Sequence, residues 1–297
     1  MTTIFKLSFK TPVHFGTGRL STSTLCIHAD TLFSAMYIEA IRLCGEQKAF
    51  KLYEQCTSGT LRISDTFPYI EDTLYVPKPI MTISGEQESD SSLKKRFKNL
   101  HYIPVDEIDS FKSGNYIPKD TEFGKDSVVH KVQISYNDEP QPYNVGNFTY
   151  NRGCGIYFIA QYEDDFIFDI IDSLSYTGIG GKISSGYGKF VYTYSELPTA
   201  LAARMTEDYK QYMTLSVCLP TNEQGDDVVN GAQYTLIRRS GFVQSEKYAS
   251  SPRKHRDIYC FASGSGFNRR FDGIISDVSE GGTHPVYKYM YPMFIGI

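Results

Sequence analysis

The stretch richest in usable chemistry is Gly178-Ile-Gly180-Gly181-Lys182-Ile-Ser184-Ser185-Gly186-Tyr187-Gly188, a G-h-G-x5-G-h-G pattern in which h is apolar or aromatic. Closely spaced glycines let the backbone reach positive φ and let a phosphate approach amides that a Cβ would screen. Lys182 adds a cation for a phosphodiester, Ser184 and Ser185 add hydroxyl donors, and Tyr187 can stack on a base or brace the loop. The competing reading is a tight connection from a helix to a strand and nothing more. A dinucleotide-binding G-x-G-x-x-G follows a strand and opens a helix, the reverse of the order here. A Walker A loop needs G-K-[ST], which does not occur.

A second concentration lies between Arg238 and Arg270. Eight Lys and Arg (Arg238, Arg239, Lys247, Arg253, Lys254, Arg256, Arg269 and Arg270) stand there against two acids, Glu246 and Asp257, in a chain of net charge −4. A basic block on an acidic body is expected of a protein that meets phosphate on one face and other proteins elsewhere. Tyr248, Tyr259 and Phe267 interleave the block, which suits single-stranded RNA, where cations meet phosphates and rings stack on bases. The alternative is an electrostatic seat for an acidic partner protein. Arg238, Arg239, Arg253, Lys254 and Arg256 are the candidate contacts, joined by Arg19 from a glycine-bearing loop near the N-terminus.

Other chemistries find less support. Asp164-Asp165 opens a helical stretch, where carboxylates complement the macrodipole, and Asp226-Asp227 follows Gly225 in a polar loop. Both read as structural, and the Gly-Gly-Asp-Asp of two-metal nucleotidyl chemistry is absent. The six cysteines are scattered without a C-x-x-C pair, so reduced thiols are expected, with no metal site and no cofactor. Met1–Lys10 alternates polar and apolar residues like a strand, unlike a signal peptide, and no run of about 18 apolar residues occurs. A cytoplasmic protein that spans no membrane is expected.

These residues need elements to hold them. Ile4–Lys10 puts Phe5, Leu7 and Phe9 on one face at period two and reads as a strand, followed by a turn at Thr11-Pro12. Leu32, Phe33, Met36, Ala40, Ile41 and Cys44 then form a helical apolar stripe, with Asp30 or Thr31 as N-cap and Gly45 as the stop. Leu61–Phe67 reads as a strand ending at Pro68. The polar Gly85–Ser92 is expected to be mobile, and Leu93–Lys98 to form a short basic amphipathic turn. Val128–Tyr136 and Tyr143–Tyr150 flank Asn137–Pro140 as a long hairpin. Gly155–Tyr162 reads as a strand, Asp164–Tyr176 as a helix, and Lys189–Tyr194 as the strand leaving the glycine loop.

Without the insertion at about 83–150, the order is strand, helix, strand, strand, helix, strand, the split βαβ of a ferredoxin-like or RNA-recognition domain. The expected class is α+β: a ferredoxin-like domain over 1–198, a connector near 195–212, and a second, degenerate copy over 205–297. In that second copy strands are expected at Thr214–Leu219, Gln233–Arg239 and Ile258–Ala262, while its helices stay unplaced.

The glycine loop resembles the glycine-rich signature of the RAMP superfamily of CRISPR proteins. Within it, Thr11-Pro-Val-His-Phe-Gly-Thr-Gly18, His28-Ala-Asp-Thr-Leu-Phe-Ser-Ala35, Ser64-Asp-Thr-Phe-Pro-Tyr69 and Tyr75-Val-Pro-Lys-Pro79 resemble the Csm four group of type III-A complexes. Lys95–Pro104 is similar to that group's basic segment before its inserted region. The resemblance spans about residues 1–195 and implies a Cas five-like, non-catalytic subunit with two RRM-type domains. Such a subunit holds the 5′ repeat-derived tag of CRISPR RNA, close to the target RNA. It sits between the large polymerase-like subunit (Csm one, or Cas ten) and the first Csm three backbone subunit. The inserted hairpin would act as a thumb near the start of the guide–target duplex. By that analogy the thumb is Val128–Tyr150, with His130, Lys131, Tyr143 and Arg152 as its contacts. The alternative is a metal-independent endoribonuclease that processes repeat RNA. His14 stands where related processing endonucleases place a general base, but such chemistry also needs an acid, and no second histidine lies near it in sequence.

Overall fold

Alternation in two central strands sets the architecture. In the computed structural model, which describes residues 1–82, 91–134, 139–245 and 247–297, Phe5 and Leu7 of β1 (Thr2–Phe9) point to one side with Ile156, Phe158 and Ala160 of β8 (Cys154–Gln161). Ile4, Tyr157 and Ile159 point to the other. Both faces are therefore buried, and each has its own apolar cluster.

The chain order begins β1, α1 (Ala29–Cys44), α2 (Glu46–Ser58), β2 (Arg62–Ile63), β3 (Phe67–Ile70) and β4 (Thr73–Pro77). Next come α3 (Ser91–Asn99), β5 (Tyr102–Pro104), α4 (Ile108–Lys112) and the ribbon β6 (Gly124–Gln133) and β7 (Gln141–Tyr150). After β8 follow α5 (Phe166–Thr177), β9 (Phe190–Glu196) and α6 (Thr199–Thr206). The last third holds β10 (Tyr212–Thr214), α7 (Gly225–Val229), β11 (Leu236–Arg239), β12 (Ile258–Phe261), β13 (Gly266–Phe267), β14 (Ile274–Asp277), β15 (Tyr287–Met290) and β16 (Phe294–Gly296).

The main sheet runs β5-β4-β3-β8-β1-β9, with β2 also against β8, and each of these pairings is antiparallel. Helices α1 and α5 cover the Phe5 face and are tied by the buried Glu39, whose Oε1 accepts from Ser173 Oγ (2.6 Å) and Thr177 Oγ1 (2.9 Å). The opposite face is covered by the C-terminal third, where β16 pairs with β10 and contributes Ile295, beside Met213, Leu215 and Met293. The class is mixed α+β. Among the described residues no helix is long and apolar enough to cross a membrane.

Several expectations change. Helix α2 occupies a stretch read as having no element. Gly45, at φ 81°, ends α1 and immediately starts α2, so the stop residue is a hinge between two helices. The strand expected to end at Pro68 is broken instead at Ser64–Thr66, and Pro68 lies inside β3 opposite Ile156. The connector contains α6, and the strand expected over 214–219 regularises only at Tyr212–Thr214. The hairpin ladder is longer at its base than expected, running from Gly124↔Tyr150 to Gln133↔Gln141. Residues 85–90 of the expected mobile stretch, the hairpin tip at 135–138 and Glu246 of the basic block lie outside the described residues.

Helix α1 is capped from a distance. Its N-cap is His28, whose side chain makes no capping bond, and the Ala29 amide donates to Asp65 Oδ1 at 2.8 Å. Neither expected cap, Asp30 or Thr31, takes that place, and Asp30 is fully buried. Its carboxylate accepts from Arg239 Nε (3.1 Å) and Nη2 (3.0 Å) and from Lys288 Nζ (3.1 Å). Burial alone would push the Asp30 carboxyl up, but Lys288 and Arg239 outweigh it and hold the group well below the usual carboxylate range.

Candidate nucleic-acid interface

The glycine loop has two halves with different work. Its base is closed on itself and on the loop after β1: Ile179 N–H donates to Gly188 O (3.0 Å), Gly188 N–H to Pro12 O (2.9 Å) and Gly181 N–H to His14 O (2.8 Å). A Cβ at Gly180 would stand 2.8 Å from the Phe15 ring, and one at Gly181 would stand 2.7 Å from the His14 ring. These two glycines thus permit close approach of protein to protein, as the bracing alternative required. The outer half differs. Lys182 sits at φ 61°, Ile183–Ser185 form one 3₁₀ turn, Ser184 and Ser185 are exposed, and Gly186 at φ 85° faces open space.

The ribbon leans on that outer half. Lys182 Nζ lies 5.3 Å from the centre of the Tyr143 ring, and Lys131 Nζ lies 5.3 Å from that of Tyr187. Lys131 and Tyr143 are cross-strand neighbours, so the two cation–π contacts interlock. Below them His14, 6% exposed, donates from Nδ1 to Gly146 O at 2.6 Å. It connects ribbon and glycine loop, and no second histidine approaches it among the described contacts. Along the ribbon His130 Nδ1 donates to Asn144 Oδ1 (2.7 Å), while Arg152 is exposed in the turn after β7. Arg19 is exposed near the tip of a small loop closed by the Gly16↔Ser23 bridge.

An open cleft of about 2870 Å³ lies beside this assembly. Its lining includes His14, Gly180, Gly181, Arg238, Arg239, Arg253 and Lys254, so part of the glycine loop and most of the basic block face one space. Among the described residues ten Lys and Arg line it against three acids, Glu46, Asp65 and Asp120. In a chain of net charge −4, the cations are thus focused into one groove. Lys182, Ser184, Ser185, Gly186, Tyr187, Arg19, Arg256 and the four ribbon residues are not part of that lining.

The cations are not equally free. Arg239 is held by Asp30 and Thr31 Oγ1 (2.9 Å), which makes it a structural group first. Arg253 donates to Gly281 O (2.7 Å), a carbonyl that leaves its charge uncompensated, whereas Arg256 donates to Asp277 O (2.6 Å) and also helps to lower the carboxyl of the same residue. Arg238 is 60% exposed and pairs loosely with Asp257 at 3.5 Å, and Lys254 stands 5.6 Å from the centre of the exposed Phe242 ring. The acid pairs have mundane partners. Asp164 Oδ1 accepts from the Phe166 amide at the start of α5 (3.0 Å), and Asp227 pairs with Arg269 (2.8 Å).

Sequence reasoning missed the rest of the lining, which includes Lys95 and Arg96 in α3, His101 just after it, Lys119, and His28. The Lys95-Arg-Phe-Lys98 run was the visible signal. His28 and Asp65 stand in two of the segments that carry the resemblance, but nothing in the sequence joins them: His28 Nδ1 donates to Asp65 Oδ2 at 2.6 Å.

Comparison with known proteins places this architecture. Residues 6–191 match the RAMP superfamily, and residues 207–297 match the CRISPR Csm4 C-terminal domain. A Mycobacterium tuberculosis H37Rv protein named CRISPR system Cms protein Csm4 is 37% identical over 303 residues, covering 99% of this chain and 97% of that one. The chain belongs to the Csm4 family. A Streptococcus thermophilus Csm4 is 29% identical, covering 95% of this chain and 94% of its own. Among solved structures, a Csm3-Csm4 subcomplex of a type III-A CRISPR-Cas interference complex matches with TM-score 0.68 at 18% identity, covering 100% and 99% of the chains. A Csm1-Csm4 cassette in complex with cA4 matches with TM-score 0.65 at 18% identity, covering 100% and 97%. At that identity these two show that the Csm4 fold is shared.

Proposed function

We propose that this chain is the non-catalytic RNA-holding subunit of a cytoplasmic type III-A Csm complex in antiviral defence, gripping the 5′ repeat-derived tag of CRISPR RNA near the target RNA. The observation that carries the reading is the cationic cleft on an acidic chain, placed beside a loop whose outer half offers Lys182, Ser184, Ser185 and Tyr187. The antiparallel order β9-β1-β8-β3 with α1 and α5 on one face supports a ferredoxin-like N-terminal domain over 1–198. The separate family match over 207–297 supports a second unit, read as a degenerate copy over 205–297. The ribbon β6–β7, docked on the glycine loop, is read as a thumb. Relatives found in Csm1-Csm4 and Csm3-Csm4 assemblies support a place between the large polymerase-like Csm1 and the Csm3 backbone. Burial of His14 in a hydrogen bond to Gly146 O supports a structural duty over that of a general base.

The test uses the chain co-purified with its partner subunits and RNAs carrying the tag or a scrambled tag. Preference for the tagged RNA, reduced by Lys182→Ala with Ser185→Ala, is expected. Equal affinity for both RNAs overturns tag recognition. Site-specific cleavage of repeat RNA in EDTA, abolished by His14→Ala, would favour the nuclease instead.

A further inference from the structure

We propose that the cleft holds a second RNA subsite, with His28 as its hydrogen-bonding group and Lys95 and Lys119 as its phosphate contacts. It rests on reading the cleft as an RNA groove. The carboxylate of Asp65, 2% exposed, is fully engaged: Oδ1 accepts from the amides of Ala29 (2.8 Å) and Val217 (3.0 Å), and Oδ2 accepts from His28 Nδ1 (2.6 Å). A histidine whose Nδ1–H is fixed by a buried carboxylate has one ring orientation and one available nitrogen, Nε2. His28 lines the cleft with its side chain 36% exposed, and Nε2 has no partner among the described residues. Nε2 is thus oriented for a hydrogen bond with a base edge or a 2′-hydroxyl, the latter a group that distinguishes RNA from DNA.

The walls supply the charge. Lys95 and Lys119 are exposed, line the same cleft and form no ion pair among the described residues, whereas Arg96 pairs with Asp120 at 3.1 Å. Both come from the segment between β4 and β6, away from the basic block in sequence. Two sequence-distant sets of cations therefore border one groove, as expected where a flexible polyanion is held along its length. An acidic protein would be attracted by the same lysines, but its charge would have no need of an oriented imidazole.

RNA affinity of the co-purified complex, followed by fluorescence anisotropy across a salt series, tests the subsite. Lys95→Ala with Lys119→Ala is expected to weaken binding and to flatten the log K against log salt slope by about 1.4, at about 0.7 per lost contact. His28→Asn, which keeps a donor for Asp65, is expected to weaken binding at least about fivefold through loss of the Nε2 hydrogen bond. Unchanged RNA affinity in both variants overturns the proposal. So does loss of a partner subunit from the lysine variant while the remaining complex binds RNA normally, which would make this wall a protein-docking surface. Both variants are run with tagged and scrambled RNA: absent tag preference with altered slopes defeats tag recognition alone, and intact preference with unaltered affinity defeats the subsite alone.

Discussion

Asp30→Asn should be among the most damaging single substitutions in this protein without touching any surface. The carboxylate is fully buried and serves two cations, Arg239 and Lys288, whose side chains are only 21% and 11% exposed. Asparagine is nearly isosteric, so packing survives while two cations lose their counter-charge. Removing one partner of a buried ion pair costs about 3–5 kcal/mol, because the remaining charge stays desolvated. Stability of a folded domain is about 5–15 kcal/mol, so the loss is a large share. At about 2 °C per kcal/mol for a chain of this size, the melting temperature should fall by about 6–10 °C. Urea denaturation and differential scanning fluorimetry measure both. The pH dependence has a definite sign. The Asp30 carboxyl is held below its unfolded value, so its contribution is complete above the ordinary Asp value of about 3.9 and is lost as pH falls further. Wild type and variant should thus differ by a constant amount from neutral pH down to about 4, and converge below it. A loss under about 1 kcal/mol at neutral pH would refute the view that Asp30 is the counter-ion of this junction.

Three further outcomes follow from the same geometry. Lys131→Ala and Lys182→Ala should each remove one cation–π contact of about 0.5–1 kcal/mol, raising hydrogen exchange across β6–β7 about two- to fivefold by mass spectrometry. Gly188→Ala should destabilise far more than Gly186→Ala, although both sit at positive φ. A Cβ at Gly188 collides with Ile179 O, whereas one at Gly186 meets open space, and comparison of melting temperatures ranks them. Burial pushes the Cys56 and Cys260 thiols up to about 12, so iodoacetamide at pH 8 should leave both unmodified in the folded chain and label them in urea, as peptide mapping can report.

Legibility followed locality. β1, β8, α1 and α5 announce themselves because each buries residues at its own period, such as Ile167, Ile170, Ile171 and Leu174 in α5. α2 does not, since it buries only Ala49, Leu52 and Cys56 and follows a glycine that reads as a stop. The short strands of the C-terminal third fail for another reason: Leu215–Val217 take their partners singly, from Asp65, Met293 and Thr214, so no regular period develops. In the candidate interface the glycine spacing was visible, but not that Gly180 and Gly181 accommodate Phe15 and His14. Charge clustering pointed to the basic block, yet sequence gives Arg238 and Arg239 the same weight, and only the fold commits Arg239 to Asp30. His28–Asp65 joins residues 37 apart in sequence, so their motifs are visible but their pairing is not.

The two-faced burial of the main sheet also bears on how the protein is made. One face of β1 and β8 is covered by α1 and α5, which are close to them in sequence, but cover on the other includes Met213, Leu215, Met293 and Ile295, which are translated much later. During synthesis the sheet can thus form with an apolar side still bare, a species prone to aggregate or to engage chaperones until β16 leaves the ribosome. Chains cut short after Tyr291 would keep that side exposed indefinitely. Quality control can therefore detect the absence of β16 from one surface, and loss of β16, although it is remote from the cleft, should deplete the protein from the cell before any defect in RNA holding is felt.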